Sequence, residues 1–206
     1  MKRRICGLVC TLALLFAVIA PAGAAAFSDV KGHWAEETIY EIAELGLVNG
    51  YPNGTFQPNG YITNAEAASV YYKLIFYGQP AEGLYAFVDV PETFWAYPAI
   101  ASAGHYMFMY EGNYFYPNER AVREDVGYTL GYYLNSVFDV VPYGISDFSD
   151  YDAIFYQIQP YVDIAVQEGL ISGYPNGTFA PYGEITRAEF ATLVLRLHNY
   201  ISMGEG

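Results

Sequence analysis

Residues 50–66 read GYPNGTFQPNGYITNAE and residues 173–189 read GYPNGTFAPYGEITRAE, so 13 of 17 positions are identical at a separation of 123 residues. An internal match of this length marks a repeated structural unit. Each copy contains an Asn-Gly turn, an aromatic residue and a proline, and then Ile-Thr-x-Ala-Glu at the start of an apolar segment with helical spacing. The stretch therefore predicts a loop that leads into a helix, twice in the chain.

The residues that precede each copy extend the repeat into a larger unit. A phenylalanine stands two positions before Asp29 and before Asp150, and an apolar pattern of helical spacing follows and ends at Gly46 or Gly169. A fainter copy begins at Asp89 between them. Each unit of about 60 residues reads as helix, loop, helix, which predicts an all-α fold of three repeats. The predicted repeats occupy residues 27–80, 85–136 and 146–200.

The second helix of the outer units opens with a capping box, in which a threonine oxygen and a glutamate carboxylate each bind a free backbone N–H. The pairs are Thr63 with Glu66 and Thr186 with Glu189. The middle unit has Val122 where the threonine should stand, so its helix lacks this cap. We expect helices at residues 65–76 and 187–198 and linkers at residues 77–85 and 136–146.

The first 26 residues have the pattern of a secretory signal peptide. Basic residues lie at positions 2–4, an apolar run extends over residues 8–20, and small residues follow. We expect cleavage at or just before Phe27 and an exported protein without a membrane anchor, since the apolar run is short for a transmembrane helix. Both cysteines, Cys6 and Cys10, lie inside this signal, so the mature chain has neither disulfides nor cysteine metal ligands.

The mature chain is strongly acidic. It keeps all 22 acidic residues, whereas the 9 basic residues fall to 6 once the signal is removed, which leaves a net charge near −16. Such a charge disfavours binding to nucleic acid and to anionic membrane surfaces. The abundant Tyr, Phe, Ile and Leu provide enough apolar surface for a folded core.

Taken together, these motifs resemble the S-layer homology family. The resemblance rests on Phe-x-Asp-Val, His-Trp-Ala, the glycine that ends the first helix, Gly-Tyr-Pro-Asn-Gly-Thr-Phe-x-Pro and Ile-Thr-Arg-Ala-Glu, in that order, and it covers essentially the whole mature chain. It implies three helical repeats in a pseudo-threefold arrangement with grooves between them. It also implies noncovalent binding at the bacterial cell surface to secondary cell-wall polysaccharide, a polymer attached to peptidoglycan that carries anionic, typically pyruvylated, sugars.

Arg187 is the most informative single residue. It stands at the first helical position after the threonine cap, where a cation opposes the positive end of the helix dipole, so helix stability does not account for it. A bound anion would reconcile the conflict, because free N–H groups at a helix start and a guanidinium both suit a carboxylate such as that of a pyruvate ketal. The alternative is a surface arginine that pairs with a nearby acid. Arg123 occupies the equivalent place in the second unit, and Asn64, which carries no charge, occupies it in the first.

Further candidate ligand-binding residues come from the same motifs. The leading aspartates, Asp29, Asp89 and Asp150, would accept hydrogen bonds from sugar hydroxyls, as the resemblance implies, or would serve as turn or capping residues. Trp34 and Trp95 would be sugar platforms or would pack the first helix of a unit onto its neighbour.

The Asn-Gly turns place Gly54 and Gly177 where a positive φ is expected, and the missing side chain would also let a ligand approach the backbone. The middle unit has a different loop at residues 110–114, so we expect at most two strong sites.

Other functions have weaker support. His33, His105 and His198 show neither metal-ligand spacing nor a Ser/His/Asp pattern, so we expect no enzyme, no metal site and no cofactor. The acidic cluster at residues 147–152 lacks the full EF-hand pattern and reads as a solvated turn. The competing hypothesis is a protein-docking role, in which a diverged repeat set would bind another exported protein through its aromatic surface.

Overall fold

The computed structural model of the protein describes residues 27–204, and the predicted signal peptide lies outside the described residues. The described chain is all-α, as predicted, with β-pairing limited to isolated bridges. Its helices are α1 (Glu36–Glu44), α2 (Asn64–Phe76), α3 (Tyr97–Ala103), α4 (Arg123–Phe138), α5 (Gln159–Gln167) and α6 (Arg187–Gly204). They form three helix–loop–helix segments, α1–α2, α3–α4 and α5–α6.

The two predicted capping boxes are confirmed. Thr63 Oγ1 accepts the N–H of Glu66 at 3.3 Å, and the glutamate carboxylate accepts the N–H of Thr63 at 2.9 Å. Thr186 and Glu189 repeat both bonds at 3.2 and 2.9 Å. Val122 has no oxygen to offer, so α4 begins without a side-chain cap.

Two helices continue past their predicted ends. The helix of the middle segment, α4, extends to Phe138, although we expected a linker from residue 136. The last helix, α6, extends to Gly204, beyond the expected residue 198. Both extensions are packed, because the ring of Phe138 lies 5.7 Å from that of Tyr200.

The segments pack on one another in cyclic order. The first helix of each segment packs on the second helix of the segment before it, so that α3 contacts α2, α5 contacts α4 and α1 contacts α6. Three backbone hydrogen bonds close a ring between the loops: Ile62 donates to Ile185 at 3.1 Å, Ile185 donates to Ala121 at 3.0 Å, and Ala121 donates to Ile62 at 2.9 Å. Each segment therefore contacts both of the others.

The start of each second helix is inserted into the loop of a different segment. The first N–H of the helix donates to a carbonyl of that loop at 2.7 to 2.9 Å. The pairs are Arg187 with Gly60, Asn64 with Glu119, and Arg123 with Gly183. The neighbouring loop thus supplies acceptors for N–H groups that a helix cannot satisfy by itself.

The tightest helix contact involves Gly131, where α4 crosses α5. A Cβ added to this glycine would overlap the carbonyl oxygen of Tyr161 and lie 2.6 Å from its carbonyl carbon. Glycine costs roughly 0.5–1 kcal/mol in a helix interior relative to alanine, so its presence here is a packing requirement.

We expect Gly131→Ala to lower the free energy of unfolding by about 1–3 kcal/mol, because the backbone of α5 must shift, even though alanine favours the helix. Chemical denaturation monitored by circular dichroism would measure the loss. Gly127→Ala is the matched control, since the added Cβ would meet the ring of Phe179 at 3.2 Å, which small movements can relieve. Equal stability of Gly131→Ala and the unaltered protein would contradict the close approach.

Candidate functional site

The leading aspartate of each segment organises the loop before the second helix. The two carboxylate oxygens of Asp29 accept the backbone N–H groups of Phe56 and Gln57, both at 2.8 Å. Asp89 and Asp150 bind the N–H groups of residues 115–116 and 179–180 at 2.7 to 2.9 Å. Of the two roles considered for these aspartates, the hydrogen bonds correspond to the turn role. Each carboxylate holds a loop in which one of the two bonded residues has a positive φ.

The glycines of the Asn-Gly turns have the predicted backbone conformation. Gly54 and Gly177 have φ values of 79° and 81°, and a Cβ added at either position would meet no atom within 4 Å. Their requirement for glycine is therefore conformational.

Arg187 is buried, with 8% of its surface exposed, so it does not lie on the surface, but it does pair with an acid, Glu66, as the alternative reading expected. Its Nε donates to the carbonyl of Phe56 at 2.8 Å, and its terminal nitrogens donate to Glu66 at 3.2 Å and to the carbonyl of Asn49 at 3.3 Å. The guanidinium also lies 4.7 Å from the ring centroids of Tyr51 and Phe56. The side chain thus crosses from α6 into the loop of the first segment, where acceptors compensate for its unfavourable place at the helix start.

The N–H groups at the start of α6 are also occupied. Those of Arg187 and Ala188 donate to the carbonyls of Gly60 and Pro58 at 2.7 and 3.0 Å, and that of Glu189 donates to the threonine cap. These three N–H groups are not available to an anion, contrary to our expectation for this helix start. Any anion at this place would have to bind side chains.

Arg123 repeats the arrangement in the third segment. Its Nε donates to the carbonyl of Phe179 at 2.7 Å, a terminal nitrogen donates to the carbonyl of Ser172, and the guanidinium lies 4.6 Å from the ring centroid of Tyr174. Burial lowers the pKa of Arg123, and the neighbouring Tyr174 and Glu189 oppose that shift. Asn64 donates to the equivalent loop carbonyl, that of Phe115, at 3.4 Å and to the carbonyl of Tyr116 at 3.1 Å, but it brings no charge.

A cavity of about 250 Å³ lies beside Arg187, and we call it the first groove. It is bounded by residues 47–51 and 56, by α2, by the start of α6 and by Trp95. Lys73 is a second cation in its wall, and its ammonium donates to the carbonyls of residues 46 and 47 at 3.2 and 3.4 Å. Burial lowers the pKa of Lys73. Trp95 is 65% exposed, so its ring faces solvent at the edge of the groove and does not serve mainly as core packing.

We use the name third groove for the equivalent residues of the third segment, which are residues 170–179, α6 and Arg123. The Tyr174 hydroxyl donates to Glu189 at 3.2 Å, as Tyr51 does to Glu66 in the first groove at 2.9 Å. Arg196 donates to the carbonyl of residue 170 at 3.1 Å and so takes the place of Lys73. Trp34 is 66% exposed and lies two residues before α1, the helix that packs on α6.

The equivalent place in the middle segment, the second groove, is closed. Its cavity measures about 10 Å³ and is lined by Asn64, Phe108 and Asp125 among others. Phe108 stands where the first groove has Asn49, and its ring lies 5.7 Å from that of Tyr128 and 6.1 Å from that of Phe155. The aromatic side chains fill the space that is open in the first groove.

Three residues that determine these differences were missed in the sequence, namely Lys73, Arg196 and Phe108. A signal was available for the first two, because they are cations separated by the same 123 residues as the duplicated stretch. No comparable signal marks Phe108, since aromatic residues are common throughout the chain.

Among residues 27–204, no cation stands beside the carboxylate of the second groove. Asp125 takes the position of Glu66, and the Tyr110 hydroxyl donates to it, but Asn64 replaces the arginine. Burial raises the pKa of Asp125 to about 6, the hydrogen bond from Tyr110 opposes that shift, and the nearby Glu124 adds to it.

When the pKa of a carboxyl group is higher in the folded than in the unfolded state, the free energy of unfolding of the protein falls as the pH rises from about 4 through about 6. We therefore expect Asp125→Asn to raise the free energy of unfolding by roughly 1–3 kcal/mol at pH 7.5 and by much less at pH 4. Thermal unfolding at both values would measure the difference, with the exposed Asp152→Asn as the control. A gain for Asp125→Asn that is independent of pH would contradict this assignment.

Within residues 27–204, no helix combines the length and apolarity that a membrane span requires. The His, Cys, Asp and Glu side chains of the same residues form no group of three or more that could hold a metal ion.

Residues 26–68 and 147–191 match the family model of the S-layer homology domain, and most of the middle segment lies between these matches. The chain is 31% identical over 197 residues to the surface-layer 125 kDa protein of Lysinibacillus sphaericus, an alignment that covers 90% of this chain and 16% of that protein. It is 36% identical over 73 residues to a cellulosome-anchoring protein of Acetivibrio thermocellus, which is 35% of this chain and 16% of that protein.

It is also 43% identical over 77 residues to the outer membrane protein SlpA of Thermus thermophilus, which is 36% of this chain and 8% of that protein. The chain thus spans less than a fifth of the length of these relatives. Two segments of the chain carry the S-layer homology pattern, and this places the protein at the bacterial cell surface.

Proposed function

We propose that the chain is a non-catalytic module that binds noncovalently to secondary cell-wall polysaccharide through anionic, pyruvylated sugars. We also propose that residues 85–136 are a diverged repeat, the middle one of three. The observation that carries this proposal is the first groove, where two cations and an exposed tryptophan border one cavity in a chain of formal net charge −13. Glu66 also lines the cavity and pairs with Arg187, so two cations stand against one carboxylate there, and this excess of positive charge on an acidic protein suits an anionic ligand.

The first groove has the donors that a pyruvate carboxylate needs. Three of the five N–H groups of the Arg187 guanidinium donate hydrogen bonds to protein atoms among the described residues, which leaves two for a ligand. The ammonium of Lys73 adds a charge-assisted donor. The exposed face of Trp95 offers a flat apolar surface against which a sugar ring can pack.

The other candidate residues act through the shape of the loops. Asp29 and Gly54 hold the loop whose carbonyls orient Arg187, and Asp150 and Gly177 do the same for Arg123. Asp89 and Asn64 shape the second groove, whose closed cavity is lined by the carboxyl group of Asp125 and suits no acidic sugar. We therefore assign ligand binding to the first and third grooves.

The acidic surface does not prevent this binding. Charges separated by more than the Debye length, about 8 Å at physiological ionic strength, are largely screened, so the cations inside the groove dominate there. The net negative charge would still disfavour other polyanions that cannot enter the groove.

A protein-docking role is the second candidate, and the closed second groove favours it. Aromatic rings that fill this groove continue onto the surface at Tyr116, Phe155 and Tyr156, which are 42, 40 and 69% exposed. Exposed aromatic clusters of this kind are typical of protein contacts.

We expect Lys73→Gln to weaken binding to the purified polymer by about tenfold or more, because a charge-assisted hydrogen bond contributes roughly 1.5–3 kcal/mol. Arg187→Ala should weaken it further, and more than Asn64→Ala does. Isothermal titration calorimetry would measure each affinity. Lys31→Gln is the charge-matched control, since Lys31 is exposed and does not line the first groove. Equal losses for Lys73→Gln and Lys31→Gln would show that only net charge matters.

Cosedimentation with purified cell wall separates the two candidate functions. The unaltered protein should pellet with the wall and should stay in solution after acid extraction of the secondary polymer. Binding that survives the extraction would reject the polysaccharide as the ligand and would support docking to a wall-bound protein.

A further inference from the structure

The first groove does not end at the cavity beside Arg187. A side cavity of about 430 Å³ lies between α2 and α3, and it shares Asn49, Ser69, Lys73 and Trp95 with the first groove. The first groove alone is smaller than the roughly 300–1,000 Å³ of most small-ligand sites, whereas the two cavities together fall within that range. Trp95 therefore borders both cavities.

The walls of the side cavity differ in chemistry from those of the first groove. Tyr72, Pro98 and Ala99 supply aromatic and aliphatic surface there. Among the described residues that line it, Lys73 is the one that carries a charge. Such walls suit the apolar face of an uncharged ring, with Tyr72 and Trp95 as flat contacts and the Ser69 hydroxyl as a hydrogen-bonding group.

The third groove does not repeat this extension. On α6 the residue equivalent to Tyr72 is Leu195, and on α1 the residue equivalent to Pro98 is Glu37. The concave surface beside Trp34 is lined by four glutamates, Glu36, Glu37, Glu41 and Glu44. This acidic surface would repel an anionic polymer, whereas the side cavity of the first groove is lined by Lys73 and by no acidic residue among those described.

We propose that the side cavity is a second sugar subsite, which holds the neutral sugar next to the acidic one, so that the first groove binds two consecutive sugars and the third groove binds one. The inference rests on the proposed function and adds a difference in ligand length between the two grooves. A saccharide is the expected occupant because the side cavity shares four lining residues with the cationic groove, and Lys73 is its one cation among the described residues.

The two tryptophans of the chain allow each groove to be observed separately, since Trp95 borders the first groove and Trp34 lies two residues before α1, the helix that packs on α6. Their indole N–H signals in a ¹H–¹⁵N NMR spectrum would be assigned with Trp34→Phe and Trp95→Phe. The probes are the methyl glycoside of a pyruvylated hexose and the two disaccharides that extend it by a neutral hexose at either end.

We expect one of the disaccharides to bind about 3- to 10-fold more tightly than the monosaccharide when followed at Trp95, and equally tightly when followed at Trp34. Tyr72→Leu, which copies Leu195, should abolish this gain and leave monosaccharide binding unchanged. Pro98→Glu, which copies Glu37, should also abolish the gain. Retention of the full gain by both variants would overturn the subsite.

The outcomes separate the two proposals. If the monosaccharide shifts the tryptophan signals and neither disaccharide binds more tightly at Trp95, the second subsite is wrong and the polysaccharide function stands. If no sugar shifts either signal, the proposed function itself fails.

Discussion

The start of each second helix is completed by the loop of a different segment, and the rest of the structure depends on this exchange. The first N–H groups of α2, α4 and α6 donate to carbonyls of neighbouring loops, and a ring of three backbone hydrogen bonds joins Ile62, Ile185 and Ala121. These donors would otherwise be buried without partners, at a cost of roughly 1–3 kcal/mol each. A segment on its own would lose these bonds and expose its loop and its helix start to water, so we expect the three segments to fold together.

The same exchange creates the grooves. Because Arg187 enters the loop of the first segment, its guanidinium is held by Phe56, Asn49 and Glu66 and lies in the wall of a cavity at the junction. The protein itself compensates for most of the cost of burying this charge, which leaves a fixed guanidinium with donors to spare. A group held in place in this way loses little conformational entropy when a ligand binds.

A few substitutions on one scaffold decide whether a groove is open. The first and second grooves share a pattern of hydrogen bonds. In each, a tyrosine hydroxyl donates to an acidic side chain, and the side chain at the helix start donates to a loop carbonyl. Phe108 and Tyr132 replace Asn49 and Lys73, and the cavity falls from about 250 to about 10 Å³. Added aromatic volume stabilises the core and removes the charge and the space that an acidic ligand needs.

The sequence by itself determined the features that depend on interactions between residues close together in the chain. The duplicated stretch predicted the repeat, Thr63 and Thr186 predicted two helix starts, and the Asn-Gly turns predicted positive φ at Gly54 and Gly177, because caps and turns involve neighbours within a few residues. Only the tertiary structure decided what the site residues contact. The acceptor of Arg187 at Phe56 lies 131 residues away in the chain, and packing between segments, which no local pattern encodes, brings the two together.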